Sequence, residues 1–207
     1  MTRILHLDSS PRGDRSMSRT LSREFIDAWK KSHPEDTVQY RDLGRQPVPH
    51  VDENWIAGAF TPPETHTPEA AAAIKTSEEL IKEFLGSDRF VFGIPMYNLN
   101  VPSTFKAYID QIVRVNRTFA VDENGSRGLV DGSTKMLIIV SRGGSFQPGT
   151  PAAAFDFQEP YLRGIFAFIG MTDITFVYAE NMNAGEELKA KSLADARAKI
   201  QELASSW

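Results

Sequence analysis

The chain has 207 residues and a formal net charge of −4. That length fits one domain able to bury a sizeable core, and the acidic balance excludes a dedicated nucleic-acid binder, which carries a basic face. No run approaches the ~18 apolar residues that span a bilayer, and Met1–Leu7 is too short for a signal peptide, so a cytoplasmic protein with no membrane partner is expected. Zero cysteine excludes disulfides, thiolate metal sites and a cysteine nucleophile. The histidines, His6, His33, His50 and His66, are too scattered to read as a metal site.

Arg3–Leu7 reads as a first strand, followed by a polar loop from Asp8 to Ser18. Ser18 can cap a helix whose apolar positions Leu21, Phe25, Ile26 and Trp29 recur at helical spacing. Thr37–Tyr40 suggests a second strand. Gln46–Pro68 holds five prolines and no periodicity, the mark of a long surface excursion. Pro68–Leu85 reads as a helix capped by Thr67. Phe90–Ile94 is a short apolar strand that Pro95 ends, because proline has no N–H for a sheet ladder. Met96–Asn100 is a loop, and Pro102 suits the first turn of a helix that places Phe105, Ile109, Ile112 and Val113 on one face. Arg117–Gly132 is a second excursion with a turn at Glu123-Asn124-Gly125. Lys135–Val140 is a strand, Pro160–Gly170 a helix, Ile174–Tyr178 the last strand and Glu186–Ala204 a closing helix. This alternation predicts a single α/β domain over residues 1–207 with helices on both faces of a five-stranded parallel sheet. The strand order 2-1-3-4-5 is flavodoxin-like and puts strands 1 and 3 beside the topological switch.

Three loops leave the carboxyl ends of strands 1, 3 and 4, where ligands bind in open α/β sheets. The first, with Ser10, Ser16, Met17 and Ser18, offers hydroxyls and amides at a helix N-terminus, and Arg12, Arg15 and Arg19 add positive charge; this suits an anion. It has neither the Gly-x-x-x-x-Gly-Lys nor the Gly-x-Gly-x-x-Gly pattern, and no activating histidine, so it points to holding a phosphate rather than breaking one. A solvated loop with a serine cap is the plain alternative. The second, Met96-Tyr97-Asn98-Leu99, offers flat or apolar surface and amide donors for a planar heterocycle, or else packs Tyr97 on the core. The third, Ser141-Arg142-Gly143-Gly144, allows close backbone approach to a ligand, or is a tight turn. A phosphate at one loop and a planar ring between the other two describe a site for flavin mononucleotide (FMN). His6 is expected to be a packed core residue and Asp110 an exposed or capping charge. Trp55, Phe60 and Phe119, in the two excursions, are either anchors or closures over a ligand.

The chain resembles the FMN-dependent NADH:quinone oxidoreductases and azoreductases from end to end. The matching pieces are Ser9-Ser10-Pro11-Arg12-Gly13 with Ser16 and Ser18, Pro95-Met96-Tyr97-Asn98 with Lys106-Ala107-Tyr108-Ile109-Asp110, Ser141-Arg142-Gly143-Gly144, and Pro160-Tyr161-Leu162-Arg163 with Phe168-Ile169-Gly170-Met171-Thr172-Asp173. The resemblance implies that Ser10, Ser16, Met17 and Ser18 hold the FMN phosphate. Met96, Tyr97, Asn98 and Leu99 would flank the ring, with Asn98 near its redox nitrogen, and Ser141, Arg142, Gly143 and Gly144 would follow the pyrimidine edge. It further implies a homodimer with flavins at the interface, NADH or NADPH as electron donor, quinones and azo compounds as substrates met by Phe60 and Phe119, and ping-pong turnover without a catalytic side chain. Relatives commonly carry an aromatic residue where Val121 stands. The rival reading is a flavodoxin-type electron-transfer protein with no small-molecule substrate.

Overall fold

The computed structural model describes Met1–Trp207. The chain opens with β1 (Arg3–Asp8), α1 (Met17–Ser32), β2 (Thr37–Asp42), α2 (Glu53–Phe60) and α3 (Pro68–Leu85). It continues through β3 (Arg89–Pro95), α4 (Ser103–Ile112), β4 (Phe119–Asp122) and β5 (Gly125–Gly128). It ends with β6 (Lys135–Ser141), α5 (Glu159–Phe168), β7 (Asp173–Ala179) and α6 (Glu186–Ser206). Five strands form one parallel sheet in the order β2-β1-β3-β6-β7, while β4 and β5 pair as a separate antiparallel hairpin. The main sheet therefore has the predicted 2-1-3-4-5 order, and the predicted turn at Glu123–Gly125 closes the hairpin.

Successive side chains on a strand face opposite ways, and both faces here are covered. Phe90, Phe92 and Ile94 of β3, with Met136, Ile138 and Val140 of β6, pack with Phe84, Phe105, Tyr108 and Phe166 from α3, α4 and α5. Val91, Leu137, Ile139 and Val177 pack on the other face against Leu21, Phe25 and Ile200 from α1 and α6. Double coverage explains why these strands read as unbroken apolar runs. At Gly93 a Cβ would lie 2.3 Å from Asp8 Oδ1 and 3.1 Å from the Ser18 carbonyl. The missing side chain lets the first turn of α1 rest directly on the backbone of β3.

Three expectations need correction. The first excursion is not wholly irregular: α2 lies inside it, capped by Asp52, which accepts from Trp55 N at 2.8 Å. Eight residues bounded by proline-rich chain are too few to display a helical period. Helix α1 begins one residue before Ser18, and its cap position is Ser16. Pro102 occupies the cap of α4 rather than its first turn. Thr67 does cap α3, accepting from Ala70 N at 3.2 Å.

Candidate functional site

A cleft of about 390 Å³ opens at the carboxyl edge of the sheet, between the loops that follow β1, β3, β6 and β7. Ser9 fixes the first loop: its N–H donates to the Gly93 carbonyl at 3.1 Å and its hydroxyl to the same oxygen at 3.3 Å. Ser10 Oγ lies 3.4 Å from the Tyr97 hydroxyl, joining the first loop to the second. Whereas α2 and α3 are capped by side chains, Ser16 makes no cap bond, and its hydroxyl instead meets that of Ser18 at 3.2 Å. The amides of the first turn of α1 are thus left without a side-chain acceptor, the arrangement that recruits an anion.

Beneath this loop lies a buried polar network. Arg19 donates to both oxygens of Asp42 (2.6 and 2.7 Å) and to the Ser10 carbonyl (2.8 Å). Its charge is therefore spent inside the protein, and it supports the loop from below instead of facing a ligand as the sequence suggested. Asp8 accepts from Ser22 Oγ (2.8 Å) and the Tyr40 hydroxyl (3.0 Å), and burial pushes its carboxyl up to about 6. Burial, followed by the Arg19 and Arg23 charges, drives the His6 imidazole down to about 4. His6 is accordingly a neutral core residue, 2.9 Å from Ser22 Oγ.

The second loop is a two-residue turn. Tyr97 N donates to the Asn100 carbonyl (2.8 Å) and Asn100 N to the Tyr97 carbonyl (3.0 Å), with φ of 47° at Asn98 and 69° at Leu99. Two successive left-handed residues define a type I′ turn, which normally calls for glycine at the second position. Met96 N donates to the Ser141 carbonyl at 2.9 Å, carrying the β3–β6 ladder one step past Pro95.

The third loop is zipped to a fourth that the sequence reading did not identify. Arg142 N donates to the Ala179 carbonyl, Met182 N to that of Arg142 and Asn183 N to that of Gly143, at 2.9–3.1 Å. Met182, Asn183 and Lys189 therefore form a wall of the cleft. At Gly143 a Cβ would sit 2.8 Å from Asn183 Nδ2. The signal was available in principle, since this segment also follows the carboxyl end of a strand. The Arg142 guanidinium is fully buried between Asp156 (3.0 Å) and Glu180 (3.3 Å), leaving its main chain to serve the cleft. Glu180 also accepts from Ser145 Oγ (2.7 Å) and Phe146 N (3.0 Å), pinning the loop from behind.

Of the residues singled out from the sequence, Ser10, Ser16, Met17, Met96, Tyr97, Ser141, Arg142 and Gly143 line the cleft. Ser18 stands behind Ser16, while Asn98, Leu99 and Gly144 follow lining residues in the chain and do not line it themselves. Phe60, 71% exposed at the end of α2, and Phe119, packed on Phe168 with ring centroids 4.8 Å apart, lie outside the lining. Trp55 is an internal anchor whose indole donates to Gln111 Oε1 at 2.8 Å. Arg12, Arg15 and Lys189 bring positive charge to the cleft, the Arg142 charge being spent behind it on Asp156 and Glu180, and no carboxylate lines it. An uncapped helix start, a cationic lining and amide-rich walls fit a phosphate monoester joined to a flat, polar-edged ring.

The profile of the family described as having the flavodoxin-like fold matches residues 2–204. The chain is 66% identical to an FMN-dependent NADH:quinone oxidoreductase 2 of Trichormus variabilis over 100% of both proteins. It is 41% identical to an FMN-dependent NADH:quinone oxidoreductase of Azotobacter vinelandii over 99% of this chain and 100% of that protein. Among solved structures, an azoreductase from Bacillus anthracis superposes with a TM-score of 0.93 at 28% identity, covering 100% of each chain. An FMN-dependent NADH-azoreductase from the same species, solved in complex with FMN, gives 0.90 at 25% identity and covers 99% of this chain and 98% of that one.

Proposed function

Because this chain belongs to the flavodoxin-like family of FMN-dependent NADH:quinone oxidoreductases and azoreductases, we propose that the cleft above β1, β3 and β6 is its FMN site and that NADH, quinones and azo compounds are its substrates. FMN, when bound, accepts a hydride from NADH and returns two electrons to the acceptor. The chain's own contribution is position and electrostatics. Ser10, Ser16, Ser18 and the first-turn amides of α1, Met17 among them, would hold the phosphate. Met96 and Tyr97, with Asn98 and Leu99 completing their turn, would flank the ring, and the main chain of Ser141, Arg142, Gly143 and Gly144 would serve its pyrimidine edge, supplying donors for negative charge. The cleft is lined by no carboxylate and no histidine, so protons come from water. Donor and acceptor then use one face in turn, which gives ping-pong kinetics.

The observation that carries this reading is the uncapped start of α1 facing a cleft with three cationic side chains, Arg12, Arg15 and Lys189, and no acidic one. Ile56, Phe60, Val121, Phe155, Phe157 and Phe168 are exposed apolar side chains. They support a homodimer in which Phe60 and Phe119 reach substrate at the partner's site. No helix is long and apolar enough to cross a membrane, in keeping with a cytoplasmic enzyme. The test is the absorption spectrum of the purified protein before and after NADH. A yellow protein bleached directly by NADH and recoloured by a quinone supports the enzyme; a yellow protein inert to NADH supports the electron-transfer alternative, and a colourless one that takes up no FMN refutes both.

A further inference from the structure

We propose that Lys189, on the helix after the last strand, is a further phosphate-binding residue that closes the FMN phosphate loop from across the cleft. This assignment rests on the FMN reading above; α1 and α6 lie side by side and run the same way. Arg197 of α6 pairs with Glu24 of α1 at 3.0 Å. Further along, Trp207 meets Trp29 edge to face with ring centroids 5.8 Å apart. Both contacts advance in the same sense along the two helices, so the N-terminal turn of α6, which holds Lys189, lies toward the N-terminal end of α1. The placement agrees with the surface: Lys189 lines the same cleft as Ser16 and Met17.

The charge is available. The carboxylate paired with Lys189 is Glu186, at 3.2 Å, and that side chain is 90% exposed, so the pair is weak and yields readily to a better anion. The serines and helix amides of the first loop approach a phosphate from one side only. A cation arriving from α6 supplies charge from the opposite side, and its long flexible stem allows it to swing over the group once it is seated.

The experiment compares FMN with riboflavin, which shares the ring and ribityl chain but has no phosphate. Full-length protein stripped of flavin is titrated with each, following quenching of flavin fluorescence, at low and at high salt. Wild type is expected to bind FMN and, more weakly, riboflavin. Lys189→Ala should weaken FMN by about tenfold at low salt, leave riboflavin unchanged and flatten the salt dependence of FMN binding. Lys189→Arg should retain most of the affinity. Equal losses for both flavins, or no loss for FMN, would overturn the assignment while leaving the FMN site intact. Wild-type protein that binds neither flavin would instead remove the reading on which it rests.

Discussion

Replacing Gly44 by alanine puts the supporting architecture of the phosphate loop under direct strain. Gly44 follows β2, where its N–H and that of Arg45 both donate to Asp42 Oδ1 at 3.1 Å. A Cβ at this position would lie 2.1 Å from the Ser10 carbonyl oxygen, 2.5 Å from its carbon and 2.9 Å from Pro11 N. All three are main-chain atoms, so no side chain can swing aside. One backbone must retreat, and the segment after β2 is the more firmly tied, through Asp42 and the main-chain bonds of Leu43 N to the Asp8 carbonyl and Gln46 N to the Asp42 carbonyl, whereas the Ser10 carbonyl is held by the Arg19 side chain. Ser10 therefore moves, away from the Tyr97 hydroxyl and from the Arg19 guanidinium beneath it. Overpacking of this kind costs about 1–3 kcal/mol, and displacement of the loop should weaken FMN by at least tenfold. Paired measurements decide the matter: thermal melting of the flavin-free protein and FMN titration, with Gly132→Ala as control, since a Cβ there meets nothing within 4 Å. A Gly44→Ala protein that binds FMN as tightly as wild type would refute the claim that this contact sets the loop.

Alanine at both Ser16 and Ser18 should weaken FMN by about 1–3 kcal/mol through lost charge-assisted hydrogen bonds, with riboflavin scarcely affected; unchanged FMN affinity would take the phosphate away from α1. His6 and Asp8 predict a flat pH response between pH 6.5 and 4. As pH falls, the unfolded chain protonates His6 before the folded one, whose imidazole is held down to about 4, and stability drops. Asp8, held up to about 6, takes its proton first in the folded state and stability rises. Asp8→Asn removes the second effect, so the unfolding free energy from urea titrations should fall by roughly 3 kcal/mol across that window, and a variant as flat as wild type would contradict a neutral His6. Glu180→Ala strips Ser145, Phe146 and Arg142 of a shared acceptor; a destabilisation of about 3 kcal/mol, as for a broken buried pair, is expected in thermal melts.

The sheet order was legible because apolar runs such as Phe90–Ile94 and Lys135–Val140 have no other place in a 207-residue chain than a doubly covered sheet. The three loops followed from where those runs stop. Helix α2 was hidden because it draws its stability from Trp55 and Gln111, partners 56 residues apart, and not from a visible period. The fourth wall escaped because Asn183 is defined by its approach to Gly143, a contact between two loops that only the β6–β7 pairing brings together. Arg19 looked like a ligand-facing cation, since charge is visible in a sequence and the carboxylate that neutralises it, Asp42, is brought in by the fold.

Asn98 and Leu99 hold a backbone conformation that residues with a side chain enter at a cost of about 1–2 kcal/mol apiece. Glycine at position 99 would relieve that strain immediately. A laboratory population selected for heat tolerance alone should therefore drift toward glycine at this tip, gaining robustness while blunting whatever Leu99 contacts. Screens of this scaffold would do well to score turnover and melting together from the first round.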